Sequence, residues 1–171
     1  MIILFICSSL EPGRDGVGDY TRKLAAALVK QQYNIVVVAF NDRYISENVL
    51  ACTQTDENET ITVIRFSANT ELKFRLKHIQ ELIEQSGFDW ISLQYVPYGF
   101  NKKGIPFFLP KALSALNTKA RWHIMFHETW IGMSVVSPFT HKVYGYFQKK
   151  NHIVFVFYII SLDLSLITIL I

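Results

Sequence analysis

The chain has 171 residues, half of them hydrophobic and 18% charged, with a formal net charge of +3. That is long enough for one domain with a real core and too apolar for a disordered chain. Lysines and arginines are scattered rather than blocked, which favours a solvated surface over a nucleic-acid partner, and the two cysteines, Cys7 and Cys52, make no disulfide framework.

Ile2–Cys7 is a continuous apolar run and reads as a buried parallel strand. A glycine-rich loop follows, from Ser8 to Gly18. Asp19 is placed to cap a helix running from Tyr20 to Gln32, with Tyr20, Leu24, Ala27 and Leu28 on one face. Ile35–Phe40 is a second buried strand, which completes a βαβ unit. The polar, acidic stretch Asn41–Thr60 reads as an irregular excursion with at most a short strand or turn.

Ile61–Phe66 reads as the third strand. Glu71–Gln85 is an amphipathic helix closed by Ser86-Gly87. Phe88–Tyr95 is the fourth strand and Val96–Gly104 a loop. A helix opens near Pro106 and runs to about Leu116. Arg121–His127 is the fifth strand. From Met133 onward the chain reads as helical, with Val143, Tyr146 and Phe147 as its apolar side. Strands alternating with helices predict an α/β fold, a Rossmann-like mostly parallel sheet with helices on both faces. The body spans residues 1–150 and a hydrophobic tail spans 151–171.

In such sheets ligands sit beyond the carboxyl ends of the strands. Three distant stretches should therefore meet at one edge: Ser8–Gly18, Tyr95–Gly104 and His127–Gly132. Gly13, Gly16 and Gly18 give G-x-x-G-x-G rather than the dinucleotide fingerprint, though Asp42 could hold a ribose, so a nicotinamide-binding oxidoreductase stays open as an alternative. The loop could equally be a turn that needs positive φ, or a site for a phosphate or a sugar hydroxyl. His123 and His127 would lie about 13 Å apart on one face of a strand, at ~3.3 Å per residue, so they cannot share a metal ion. His123 reads as structural, and His127, at the strand's carboxyl end, as a candidate ligand contact. Gln94, Tyr95, Tyr98 and Phe100 make an aromatic and polar loop that could pack or could carry a carbohydrate; Trp122 and Trp130 could join it or belong to the core. No metal or cofactor is called for, and nothing supports a covalent nucleophile.

With these residues laid out, the chain resembles the N-terminal domain of a family 4 glycosyltransferase of the GT-B architecture. The likeness rests on Gly13–Arg22 with Leu24–Leu28, on Phe88–Tyr98, and on Ile124–Trp130, and covers about residues 1–150. Such enzymes move a sugar from a nucleotide-sugar donor to an acceptor hydroxyl. The resemblance implies that Gly16 and Gly18 approach the donor diphosphate and that His127 has a supporting catalytic role. It also implies that Tyr20, Gln94, Tyr95, Tyr98 and Glu128 lie on the acceptor side. The family's donor-binding second domain has no counterpart here, so the expectation is an acceptor-binding part with no appreciable transferase activity alone. The alternative is an anchored binding module that pairs with a separate donor domain.

Fourteen residues of Ile153–Ile171 are Leu, Ile, Val or Phe, enough to outweigh Asp163 on an insertion scale. Lys149 and Lys150 would keep the body on the cytoplasmic side. A truncated or frameshifted product of AT-rich DNA is the preferred account of the tail, a membrane anchor the competing one. With no basic region before Met1–Ile6 and no clean cleavage site after it, a cytoplasmic protein, with membrane association through residues 153–171 as an option, is expected.

Overall fold

The computed structural model describes residues 1–128, 138–160 and 167–170. The described elements are β1 (Ile2–Cys7), α1 (Gly16–Lys30), β2 (Asn34–Asp42), β3 (Val49–Asp56), β4 (Glu59–Ser67) and α2 (Leu72–Ser86). They continue with β5 (Trp90–Tyr95), the single turn α3 (Pro97–Phe100), α4 (Phe108–Ser114), β6 (Arg121–Phe126), α5 (Phe139–Ile160) and β7 (Ile167–Leu170).

The strands form one sheet in the order β3-β4-β2-β1-β5-β6-β7. All neighbouring pairs are parallel except β3 with β4. The expected α/β class with a mostly parallel, Rossmann-like sheet is therefore the one observed. β1 lies at the centre, and it is apolar throughout because both of its faces are covered. Ile3, Phe5 and Cys7 meet Ala25 and Ala26 of α1 on one face. Leu4 and Ile6 meet the opposite layer, which holds Ile79 and Ile83 of α2 and Leu109 and Leu113 of α4.

The chain first builds outward from β1 to β2 and β4. It then crosses back to place β5 on the other flank of β1. The connections leaving β1 and β5 diverge at their carboxyl ends, which opens a crevice between them, the switch point of a doubly wound sheet.

Three local expectations are corrected. Residues 49–56 are not irregular: they form a full strand that pairs antiparallel with β4 through a two-residue turn, Glu57-Asn58, with φ of 49° and 68°. Both turn residues lie in the left-handed region, the geometry that matches strand twist in a tight hairpin. α1 begins at Gly16 rather than Tyr20, and its N-cap is Asp15, whose carboxylate accepts from the N–H groups of Val17 and Gly18. On α5, Val143, Tyr146 and Phe147 point outward; among the described residues of the helix the buried positions are Gly145, Gln148, Asn151 and His152.

α5 runs without a break across the boundary expected at 150/151. Ile167–Leu170 then adds to the sheet beside β6. Among the described residues no helix is long and apolar enough to cross a membrane. Trp130, Gly132 and the proposed helix start at Met133 lie outside the described residues.

Candidate functional site

A crevice of about 450 Å³ lies at the carboxyl edge of the sheet, above β1, β2, β5 and β6. The turn after β1 contributes Ser8, Ser9, Arg14 and Asp15, and the start of α1 contributes Gly16 and Val17. Asn41, Arg43 and Tyr44 come from the end of β2; Val96, Tyr98 and Gly99 follow β5; His127 and Glu128 follow β6. The described parts of the three stretches expected to meet, the third represented by His127 and Glu128, do meet. The fourth, Asn41–Tyr44, was missed, although the same rule about strand ends pointed to it.

The turn after β1 is set by Asp15. One carboxylate oxygen caps α1, and the other accepts from the Ser8 hydroxyl at 3.1 Å. The cap leaves the helix N-terminus already facing a negative charge, which opposes a bare phosphate at that spot. Arg14 and Arg43 on the lining supply the positive charge.

The two glycines of α1 differ. A side chain on Gly16 would meet nothing within 4 Å, and Gly16 lines the crevice. Gly18 is buried, its N–H is taken by Asp15, and a Cβ there would collide with the Ser9 carbonyl oxygen. Gly18 is thus the residue that lets α1 close onto the end of β1, and it is not on the crevice. Gly18→Ala should destabilise the fold by about 1–3 kcal/mol, the usual cost of overpacking, while Gly16→Ala should change stability by less than ~0.5 kcal/mol. Paired urea melts check this; equal losses in both variants would remove the distinction.

The loop carrying Tyr98 is held from several sides. Arg43 donates to the Tyr98 carbonyl and Asn41 to the Gly99 carbonyl, each at 2.8 Å. Asn41 Oδ1 in turn accepts from Arg75, a buried guanidinium that also donates to the Phe40 carbonyl at 2.8 Å and lies over the Phe40 ring. Burial pulls the Arg75 pKa down. Gly99 presses on Ser8: a Cβ at Gly99 would lie 2.5 Å from the Ser8 hydroxyl oxygen.

His127 extends the β5–β6 ladder, its N–H donating to the Tyr95 carbonyl at 2.9 Å. The exposed Tyr20 ring packs edge-on against the His127 imidazole, with centroids 4.9 Å apart. His127 Nε2 meets Gln94 Oε1 at 2.9 Å. Burial lowers the His127 pKa, and the Asp15 carboxylate opposes that shift.

Not every expected contact is on the crevice. Glu128, Tyr98, Gly16 and His127 line it, and Tyr20 stands beside His127. Gln94 is fully buried behind His127 and reaches the crevice only through that ring. Tyr95 is fully buried in the opposite layer, stacked with Phe100 and edge-on to Phe126, with its hydroxyl accepting from Asn151 at 2.8 Å. Burial pushes its phenol well above the ordinary value, with Asn151 opposing. Adjacent strand residues face opposite ways, so Gln94 and Tyr95 could not both have served one ligand.

Asp42 is not free to hold a ribose. It is fully buried and accepts from Arg65 Nε at 2.7 Å and from the N–H groups of Leu10 at 3.1 Å and Tyr44 at 3.0 Å. Among the described residues no group of His, Cys, Asp or Glu side chains is arranged to hold a metal ion. No protein-family model matches the chain, and no curated protein or solved structure matches it either.

Proposed function

We propose that the crevice is the acceptor-side half of a glycosyl-transfer site, in which a polyhydroxylated ligand lies between the turn after β1 and the Tyr98 loop. The observation that supports this reading most is the convergence of Gly16, Tyr98 and His127 on one lining. The chemistry of that lining fits sugars. Asp15 and Glu128 can accept from hydroxyls, Asn41 and the serines can do either, and the Tyr98 and Tyr20 rings offer flat apolar cover. Arg14 and Arg43 suit an anionic group on the same ligand or on a nucleotide sugar beside it. His127 borders the position where a reacting hydroxyl would sit, and that is the basis for its supporting role.

The test is a titration of the isotope-labelled 171-residue chain with nucleotide sugars and with neutral polyols, followed by backbone amide shifts. Expected are perturbations clustered at Gly16, Tyr98 and His127, and an affinity loss of about tenfold for the anionic probes alone in Arg14→Ala, the effect of one charge-assisted contact. Shifts confined to another surface, or none with any probe, would overturn the assignment.

A further inference from the structure

A row of polar side chains runs along one face of β5 and β6 and ends at His127. Phe5 of β1, on the α1 side of the sheet, is in register with Ser92, and Ser92 with His123. Gln94, two residues on, shares that face. Consecutive contacts join them. His123 Nδ1 meets Ser92 Oγ at 2.8 Å, Gln94 Nε2 donates to Ser92 Oγ at 2.8 Å, and Gln94 Oε1 meets His127 Nε2 at 2.9 Å. Gln94 is 0% exposed and Ser92 3%, so solvent does not compete for these bonds.

We propose that Gln94 and Ser92 are positioning residues that hold His127 as its Nε2–H tautomer, leaving Nδ1 as the hydrogen-bond acceptor offered to the crevice. The direction follows from the amide. Its oxygen can only accept, so the proton of the facing imidazole sits on Nε2. Its nitrogen can only donate, so Ser92 Oγ receives that bond and turns its own hydrogen to His123 Nδ1. His123 is then the matching Nε2–H form. Burial lowers the pKa of both rings, which keeps them neutral and able to distinguish donor from acceptor. On the sugar-handling reading above, on which this consequence rests, the ligand group at His127 is a hydroxyl that donates to the ring, and a phosphate oxygen at that nitrogen is disfavoured. Gln94 therefore acts through His127 rather than on the acceptor itself.

The test needs no sugar. Long-range proton–nitrogen spectra of the labelled chain at neutral pH report which imidazole nitrogen carries the proton. Expected is His127 with Nε2 protonated in about tenfold excess, the ratio one ordinary hydrogen bond sustains. In Gln94→Met the excess should fall to the few-fold Nε2–H preference of an undirected imidazole side chain, with the amide spectrum otherwise folded. Ser92→Ala should loosen His123 more than His127. A wild-type chain with Nδ1–H or mixed His127 would overturn the proposal without any variant, and so would Gln94→Met with the tautomer unchanged. A chain that binds no sugar yet shows the Nε2–H form would sink the functional reading and leave this one standing.

Discussion

Replacing Asp42 with asparagine should lower folding stability by about 3–5 kcal/mol, the cost of breaking a buried ion pair while one charge remains. Asp42 and Arg65 are both buried, 2.7 Å apart between Oδ2 and Nε. Glu11 holds the other arm of Arg65 at 2.7 Å, but its side chain is 36% exposed and cannot replace Asp42. Asp42 also accepts the N–H groups of Leu10 and Tyr44, so it ties the turn after β1 to the end of β2, both of which line the crevice. Burial alone would raise its pKa; the Arg65 bond and the two backbone donors more than offset that, and the carboxyl is held below its ordinary value of 3.8. The contribution is therefore present above that value and is lost as pH falls through the lower, folded one. Urea denaturation of wild type and Asp42→Asn at neutral pH decides the matter, and a loss under ~1 kcal/mol would show that Arg65 is not left stranded.

Acidification from pH 6.5 to 4 should cost about 3 kcal/mol through His152 alone, before any carboxylate titrates fully. His152 is buried between the Tyr95 and Phe126 rings, and burial lowers its pKa from 6.5 to about 4. The unfolded chain thus takes up a proton more readily than the folded one. Stability is complete above pH 6.5, declines as pH falls below it, and levels off near 4; 2.5 pH units at 1.36 kcal/mol each give the magnitude. His123 and His127 are shifted in the same direction by burial and add to the slope. His152→Gln should flatten the stability–pH curve across this window while leaving the acid limb due to Asp42 in place. An unchanged slope would mean that the imidazole is hydrated in the folded state.

The parallel sheet was legible because its strands are unbroken apolar runs, and the edge that carries the site follows from the alternation of strand and helix. What escaped has local causes. Glu57-Asn58 is not a glycine-containing turn, so the β3–β4 hairpin had no obvious marker, although Val49–Asp56 alternates between exposed and half-buried positions. Asp19 is the cap expected from the sequence and Asp15 the one observed, and both are aspartates. Only packing chooses between them, because α1 can start among glycines once Gly18 lets it close on Ser9. Asp19 is used elsewhere: it accepts from the Gly13 N–H at 3.0 Å and from Arg22 at 2.6 Å, and Arg22 also reaches Asp56 at 3.1 Å. Among the residues of α5 whose burial is described, the inward ones are largely polar, contrary to the hydrophobicity pattern, and Asn151 among them donates to the Tyr95 hydroxyl. Gln94 and Tyr95 are both expected on the acceptor side from the resemblance, yet the predicted strand Phe88–Tyr95 contains both, and alternation along it turns them to opposite faces.

The contact between Gly99 and Ser8 has a consequence for how the pocket can diversify. A Cβ at Gly99 would overlap the Ser8 side chain and crowd Val96, so a bulkier residue there must push the two walls apart. Ligand preference is therefore free to drift at Arg14, Gly16, Arg43 and Glu128, whose side chains or Cα positions face open solvent, while the seam between the two walls stays small. Libraries that randomise those four positions should retain folded members far more often than libraries that randomise the seam.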